Sequence, residues 1–278
     1  MKRATQSDMP ALTSYLAEHA ELNMFTLSNL NNHGLDGDHP RGTRLWMNNG
    51  PLRDVLAVTQ EGMVMPFLPD GGNAAAATVL GDLGGLIGMI GPASHVRALQ
   101  SAAGLTDAPA TMDEDEPQFL LQLDELIIPD GIGELIPFAQ APEATVRDWM
   151  ADYQRNALHT PADQVAGYVK RDYEERIKRG SHMVLVDGNT CLAATGFNAQ
   201  MPDIVQIGGV YTPPELRGRG HARRAVALHL ELARRQGIGR ATLFSASDMA
   251  ERAYRAIGFE QIGDWTLLLF DGPQVAHV

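Results

Sequence analysis

The stretch IVQIGGVYTPPELRGRGHARRAVALHLELARRQG, residues 204–237, constrains the fold more than any other part of the chain. Its opening IVQIGGVYT is β-rich and reads as a strand that stops at Pro213-Pro214, because neither proline can donate a ladder hydrogen bond. From Gly220 to Gln236 the run of Ala, Leu and Arg reads as a helix, closed by Gly237. Between the two, Gly218 and Gly220 remove side chains from a tight turn, so the backbone can approach a ligand closely. The first helical N–H groups have no internal partners, and together with the helix dipole they favour a phosphate or pyrophosphate. Arg217, Arg219, Arg223 and Arg224 add countercharge, although a helix turns about 100° per residue and not all four can face one ligand. The competing reading is a helix start with a solvated basic face. The loop is not a nucleotide P-loop, since His221-Ala222 stand where Lys-Ser/Thr belongs. Nor is it a dinucleotide fingerprint, since the third glycine is missing.

The surroundings of this unit read as a mixed α/β domain over 131–278. GELIPFA, HMVLVDG, TCLAATGFNA, RATLFSA and DWTLLLF are strands, and PEATVRDWMADYQRNAL and PADQVAGYVKRDYEERIKR are helices with polar outer faces. A chain of 278 residues is comfortable as two domains, and the turn-rich IIPDGIG places the boundary near residue 130. Residues 1–130 open with one amphipathic helix, SDMPALTSYLAEHAEL. Two strands follow around Glu61-Gly62, then an Ala-rich helix near 74–83, a short strand through Leu86–Ile90 and a helix SHVRALQSAAGL. TMDEDEP reads as a solvated loop, and QFLLQLDELIIP as a strand.

Charge is uneven. Residues 1–130 hold 17 acidic and 6 basic side chains, which argues against nucleic acid as a partner. The bias serves either solubility or attraction of a cationic substrate such as an amine. Cys191, the single cysteine, reads as a small core residue and has no partners for a zinc site; the nine histidines form no HxxxH or HxH pair, so no metal is expected. The most apolar window, AAAATVLGDLGGLIGMIGPA, is broken by Asp82 and several glycines and makes a poor membrane span. With no charged-then-apolar N-terminal pattern, the expected location is the cytoplasm; the oligomeric state stays open. Trp149 and Tyr153, spaced i,i+4, and Tyr168 and Tyr173 read as core packing or as a border to a second site.

The order R-x-x-G-x-A, here Arg217-Gly218-Arg219-Gly220-His221-Ala222, resembles the acetyl-CoA pyrophosphate loop of the GCN5-related N-acetyltransferases (GNAT). GGVYTPPE before it is similar to the family's splayed fourth strand. SDMAERAYRAIGF after it is similar to the second motif, a helix that carries a tyrosine and ends at Gly-Phe. The match covers about 131–270 and implies an acyl-CoA N-acyltransferase fold there. It implies that Val210, Tyr211 and Thr212 offer backbone groups to the pantetheine arm, like an added strand. The N–H groups of Arg219 to Ala222 would hold the pyrophosphate, with Arg217 and Gly218 shaping the turn. Tyr254 would protonate the leaving thiolate, a task suited to a phenol, whose ordinary pKa is about 10.

Ser247 stands where many members of the family have a cofactor-contacting Asn, and it either donates a similar hydrogen bond or caps the helix. No general base is assigned, because the fourth strand carries Gln206; Asp203, Glu215, a water chain or an already neutral amine remain open. The first half has a strand–turn–helix, MIGPASHV, without the R-x-x-G-x-A residues. It resembles the degenerate N-terminal copy of tandem members, the alternative being an unrelated α/β substrate domain. The resemblance implies acetyl transfer from acetyl-CoA to a primary amine held between the two halves, by direct attack. The alternative is a catalytically silent CoA-binding sensor or scaffold.

Overall fold

The computed structural model describes residues 1–157, 160–245 and 247–277. The chain opens with a two-residue strand β1 (Lys2–Arg3) and helices α1 (Met9–Glu18) and α2 (Ala20–His33). Strands β2 (Thr43–Met47), β3 (Val55–Thr59) and β4 (Met63–Phe67) follow, then α3 (Asn73–Leu83), β5 (Leu86–Pro92), α4 (Ala93–Ala102) and β6 (Ala110–Gln122). After these come β7 (Glu134–Pro137), α5 (Glu143–Asn156), α6 (Ala162–Arg179), β8 (His182–Asp187), β9 (Thr190–Gln200) and β10 (Ile204–Tyr211). The chain ends with α7 (His221–Arg235), β11 (Arg240–Phe244), α8 (Asp248–Arg255) and β12 (Glu260–Gln274).

Two compact units form, one from residues 1–118 and 261–278, the other from 119–260. The expected boundary near residue 130 therefore lies within the second unit, and the last residues belong with the first. β6, 13 residues long, runs from the first unit into the second between Gln118 and Phe119, while all of β12 after Glu260 belongs to the first. In the first unit β2, β3 and β4 form an antiparallel meander, and α3 then carries the chain over to β5, parallel to β4 at Met63↔Gly88 and Val64↔Met89. β12 completes the other side of β5, with Leu268 opposite Met89. The core packs Ala76, Ala77 and Leu80 of α3 and Val96 and Leu99 of α4 on Leu56, Val58, Val64 and Met89.

Three expectations for this unit need correction. The opening helix is two, α1 and α2, broken at His19, whose φ of −125° and ψ of 45° leave the helical region. TMDEDEP is strand and not loop. Asp113 and Asp115, alternate residues on one face of β6, both bond the Arg97 guanidinium, and Asp115 also accepts from the Thr266 hydroxyl at 2.6 Å. Finally, the crossover that joins parallel strands runs through β4, the loop 68–72 (LPDGG) and α3, one element earlier than MIGPASHV.

The second unit repeats this succession. β7, β8, β9 and β10 form an antiparallel meander, and α7 carries the chain to β11, parallel to β10. Val226, Ala227 and Leu230 of α7 pack with Val205, Ile207, Leu243, Ile257 and Phe259, while α5 and α6 pack Val146, Met150, Val165 and Val169 on Val184 and Ala194. Cys191 is half-buried at the edge of that second cluster, where burial pushes its thiol up and keeps it protonated.

Candidate functional site

The parallel pairing of β10 with β11 covers only Ile204–Gln206 against Arg240–Thr242. Beyond Gln206 the ladder to β11 ends, while β10 stays paired with β9 through register shifts at Gln206/Ile207 and Gly208/Tyr211. These bulges bend β10 away from its parallel neighbour just before the loop. Val210, Tyr211 and Thr212 lie on this diverging stretch; Val210 packs toward the α7 side of the sheet and Tyr211 toward α5. The Thr212 hydroxyl oxygen is buried without a hydrogen-bond partner among the described residues.

Past Pro213 a turn of 3-10 helix, Pro214–Leu216, leads into the glycine loop. Gly218 has φ +75° and Gly220 φ +82°, the left-handed region where glycine carries no Cβ penalty. The first backbone bond of α7 runs from Arg224 N–H to Gly220 O at 3.0 Å. Among the described residues no backbone carbonyl receives the N–H groups of Gly218, Arg219, Gly220, His221 and Ala222. These donors lie at the positive end of a 15-residue helix, an arrangement suited to an anion.

The four arginines divide three tasks among them. Arg217 Nε donates to Thr212 O at 3.0 Å and Arg219 Nη2 to Glu215 O at 3.1 Å, so both side chains brace the loop. Arg224 donates to Pro129 O at 2.7 Å and Ile132 O at 3.0 Å, holding the segment after β6. Arg223 is the one that stays with the donors: its Nη2 is 3.6 Å from a Cβ built on Gly220, and its Nε is buried without a partner among the described residues. His221 is buried at the first position of the helix.

α8 follows β11, and Ser247 caps it, its hydroxyl oxygen accepting from Ala250 N–H at 3.3 Å. Tyr254 on this helix is 9% exposed, with its ring edge-on to Phe259 at 6.0 Å. Of the open base candidates, Asp203 bonds Arg240 at 2.8 Å at the paired end of β10, opposite the diverging end. Gln206 is buried, its Nε2 donating to Ile207 O. Glu215 is exposed in the turn before the loop.

On the other face of β10, a shallow cleft open to solvent lies between α5, α6 and the strands, lined by Phe138, Trp149, Tyr153, Arg176, Gly209 and Tyr211 among others. Trp149 thus borders the cleft as well as a core, and Tyr153 lines the cleft. The Tyr211 hydroxyl donates to Asp152 at 2.8 Å; burial and this carboxylate together push it up to about 12. His182 on β8 lies across Gly196, and its Nε2 is buried without a partner among the described residues. Burial, then the positive charge of Arg176, holds His182 well below the ordinary imidazole value. Sequence reasoning missed Arg176 and His182. One looks like part of a solvated helix face in YEERIKR, the other like an ordinary strand residue.

His229 on α7 stacks on Phe197 at 3.9 Å, and burial lowers it to about 4. An unfolded histidine titrates near 6.5, so between about pH 6.5 and 4 the unfolded chain binds more protons and acid destabilises the fold, by roughly 3 kcal/mol for this group. Urea unfolding at pH 7 and 4.5 should show the His229→Phe chain losing less stability on acidification than the parent. Equal losses would remove His229 as the cause. Among the described residues no group of three or more His, Cys, Asp or Glu could hold a metal ion, and no helix is long and apolar enough to cross a membrane.

Residues 143–259 match the model of the acetyltransferase (GNAT) family. A GCN5-related N-acetyltransferase from Sphaerobacter thermophilus has a TM-score of 0.60 at 15% identity, covering 99% of this chain and 95% of that one. An acetyltransferase of the GNAT family from Colwellia psychrerythraea gives 0.53 at 13%, covering 97% and 99%. A tandem GNAT protein from the clavulanic acid biosynthesis pathway gives 0.53 at 16%, covering 94% and 95%. No curated protein sequence matches the chain. At these identities the likeness is one of fold: this is the acyl-CoA N-acyltransferase fold, mixed α/β, with the match extending over nearly the whole chain.

Proposed function

Because residues 143–259 carry a domain of the GNAT family, we propose that the protein is an N-acetyltransferase that moves an acetyl group from acetyl-CoA to a primary amine. The observation that carries this reading is the end of the β10–β11 ladder at Gln206, followed past the diverging end of β10 by a loop whose N–H groups meet no backbone carbonyl among the described residues. A pantetheine arm needs main-chain partners beside a strand, and a pyrophosphate needs clustered donors; the two features adjoin here. In this reading the backbone of Val210, Tyr211 and Thr212 binds the arm, and the N–H groups of Arg219, Gly220, His221 and Ala222 bind the pyrophosphate. Arg223 joins them as the nearby cation. The Ser247 hydroxyl, already the cap of α8, has its remaining hydrogen-bonding capacity to offer the donor.

In the reaction the amine nitrogen attacks the thioester carbon and the carbon–sulfur bond breaks. Tyr254 gives its phenolic proton to the departing thiolate and is reprotonated from solvent, while the amine sheds its own proton to water. No enzyme-bound acyl intermediate is required, which agrees with a half-buried, protonated Cys191. The first unit serves in this reading as a degenerate copy. Its corresponding loop holds a carboxylate of its own: Asp54, 4% exposed, accepts from Asp70 N–H at 2.9 Å, and its other oxygen lies 2.5 Å from a Cβ built on Gly72, the residue before α3. An internal anion at a helix start repels a second one.

Release of CoA thiol, measured with acetyl-CoA and a panel of small amines, polyamines, amino acids and peptides with free N-termini, tests the reading. Acceptor-dependent release is expected. Tight CoA binding with no release across the panel would overturn it in favour of a CoA-binding sensor.

A further inference from the structure

We propose that the cleft between α5, α6 and β10 selects amine acceptors that also bear a carboxylate, with the Arg176 guanidinium as the carboxylate's partner. The inference rests on the acetyl-transfer reading above and names its substrate class.

Arg176 projects from α6 to the lining of the cleft, and both its terminal nitrogens lie 3.4 Å from a Cβ built on Gly209. Gly209, with φ +61°, sits on the bulged stretch of β10 where that strand leaves β11. The guanidinium therefore stands over a position on the strand where no side chain separates it from the backbone. Among the described residues no hydrogen bond or ion pair engages its nitrogens. That is unusual for a residue that presents five donors and is commonly tied to a carboxylate or to carbonyls when it leaves bulk water. Arg224 of the same unit illustrates the ordinary case, with its guanidinium bonded to backbone carbonyls.

A second group converges on the same point. His182 Nε2 is 3.2 Å from the same built Cβ and has no partner among the described residues, and His182 is almost fully buried. The other imidazole nitrogen is 3.0 Å from the Ser181 hydroxyl. With that hydroxyl donating, the imidazole carries its proton on Nε2, and a second donor then faces the ligand beside the guanidinium. Burial lowers the pKa of Arg176 while Asp172 and Tyr153 pull it the other way, and an arginine stays charged through this. Apart from Gln154, the rest of the wall is apolar or aromatic, with Phe138, Trp149 and Tyr211, so a small amino acid finds one cationic anchor beside a largely lipophilic surface.

The chemistry is the same transfer: the ammonium first loses a proton to solvent, the freed amine nitrogen attacks the acetyl carbon, the carbon–sulfur bond breaks, the thiolate takes the Tyr254 proton, and the nitrogen loses its second proton to solvent, from which the phenol is reprotonated. The carboxylate is unchanged throughout and fixes the acceptor's orientation.

The test uses the full chain, acetyl-CoA, and L-amino acids each paired with its carboxamide. Thiol release gives kcat/KM, and calorimetry gives binding of the same compounds to the protein–CoA complex. The acid-to-amide preference is expected to fall by about tenfold or more in Arg176→Gln, and to survive in part in Arg176→Lys, which keeps the charge and loses the fork. The change in the ratio is the readout, since amine basicity within a pair is common to parent and variant. Amides or plain amines used as well as acids, or a ratio that survives Arg176→Gln, would overturn the inference and leave acetyl transfer standing. Arg176-dependent binding of acids with no thiol release would uphold the anion site and sink the transferase reading instead.

Discussion

Replacing Tyr254 with phenylalanine is expected to lower kcat by more than about tenfold while acetyl-CoA affinity stays within about twofold. The substitution removes one oxygen and keeps the ring, which is 9% exposed and packs edge-on to Phe259 at 6.0 Å, so the core around Ile257 and Phe259 keeps its contacts. The position is fixed by α8 and by the bonds that end it, Ile257 N–H and Phe259 N–H both donating to Tyr254 O at 3.0 and 3.2 Å. A general acid contributes about 10²–10⁴ to a rate, and solvent recovers part of that when the acid is lost. Thiol release against acetyl-CoA concentration separates the outcomes. A fall in kcat at constant KM for acetyl-CoA assigns the proton to Tyr254, a rise in KM alone makes it a binding residue, and an unchanged rate removes it from the reaction.

How much of this was legible in the sequence depended on how local each signal is. The strand, proline pair, glycine loop and helix of 204–237 are set by φ preferences and missing N–H groups, which a sequence displays directly, and the structure reproduces them within a residue or two. The tyrosine helix is equally local, since Ser247 and Gly258-Phe259 bracket it. What escaped needs a distant partner to be seen. TMDEDEP looks like a solvated loop until Arg97 and Thr266 take up Asp113 and Asp115. The passage of 261–278 into the first unit is decided by pairing of Leu267–Leu269 with Gly88–Ile90, which no local pattern announces. The arginines divide in the same way. The cluster at 217–224 is visible, but which member faces the loop is decided by the carbonyls that claim Arg217, Arg219 and Arg224. Arg176 is hidden among the charges of YEERIKR because helix periodicity cannot tell a solvated face from one that borders a cleft.

Gly220→Val should weaken acetyl-CoA binding by about a hundredfold, measured by calorimetry, and Gly218→Val by a similar factor. A Cβ at Gly220 meets no obstacle closer than Arg223 Nη2 at 3.6 Å, and one at Gly218 meets nothing within 4 Å, so collision is not the cause. The cause is backbone angle. At φ +82° and +75° a β-branched residue is strained by about 1–3 kcal/mol each, and the loop relieves this by rotating out of the left-handed region. Any such rotation turns the N–H groups of Arg219 to Ala222 away from one another, and a site made of converging main-chain donors loses most of them together. Each 1.4 kcal/mol is a factor of ten in affinity, so strain plus two lost charge-assisted bonds reaches the stated magnitude. Gly237→Val is the control. It imposes comparable strain, at φ +94°, on an exposed residue just past the far end of the same helix. It should therefore lower thermal stability while leaving acetyl-CoA affinity within about twofold. Equal losses of affinity in Gly220→Val and Gly237→Val would mean that α7 responds as a whole, and that the glycine loop is a helix start and not an anion cradle.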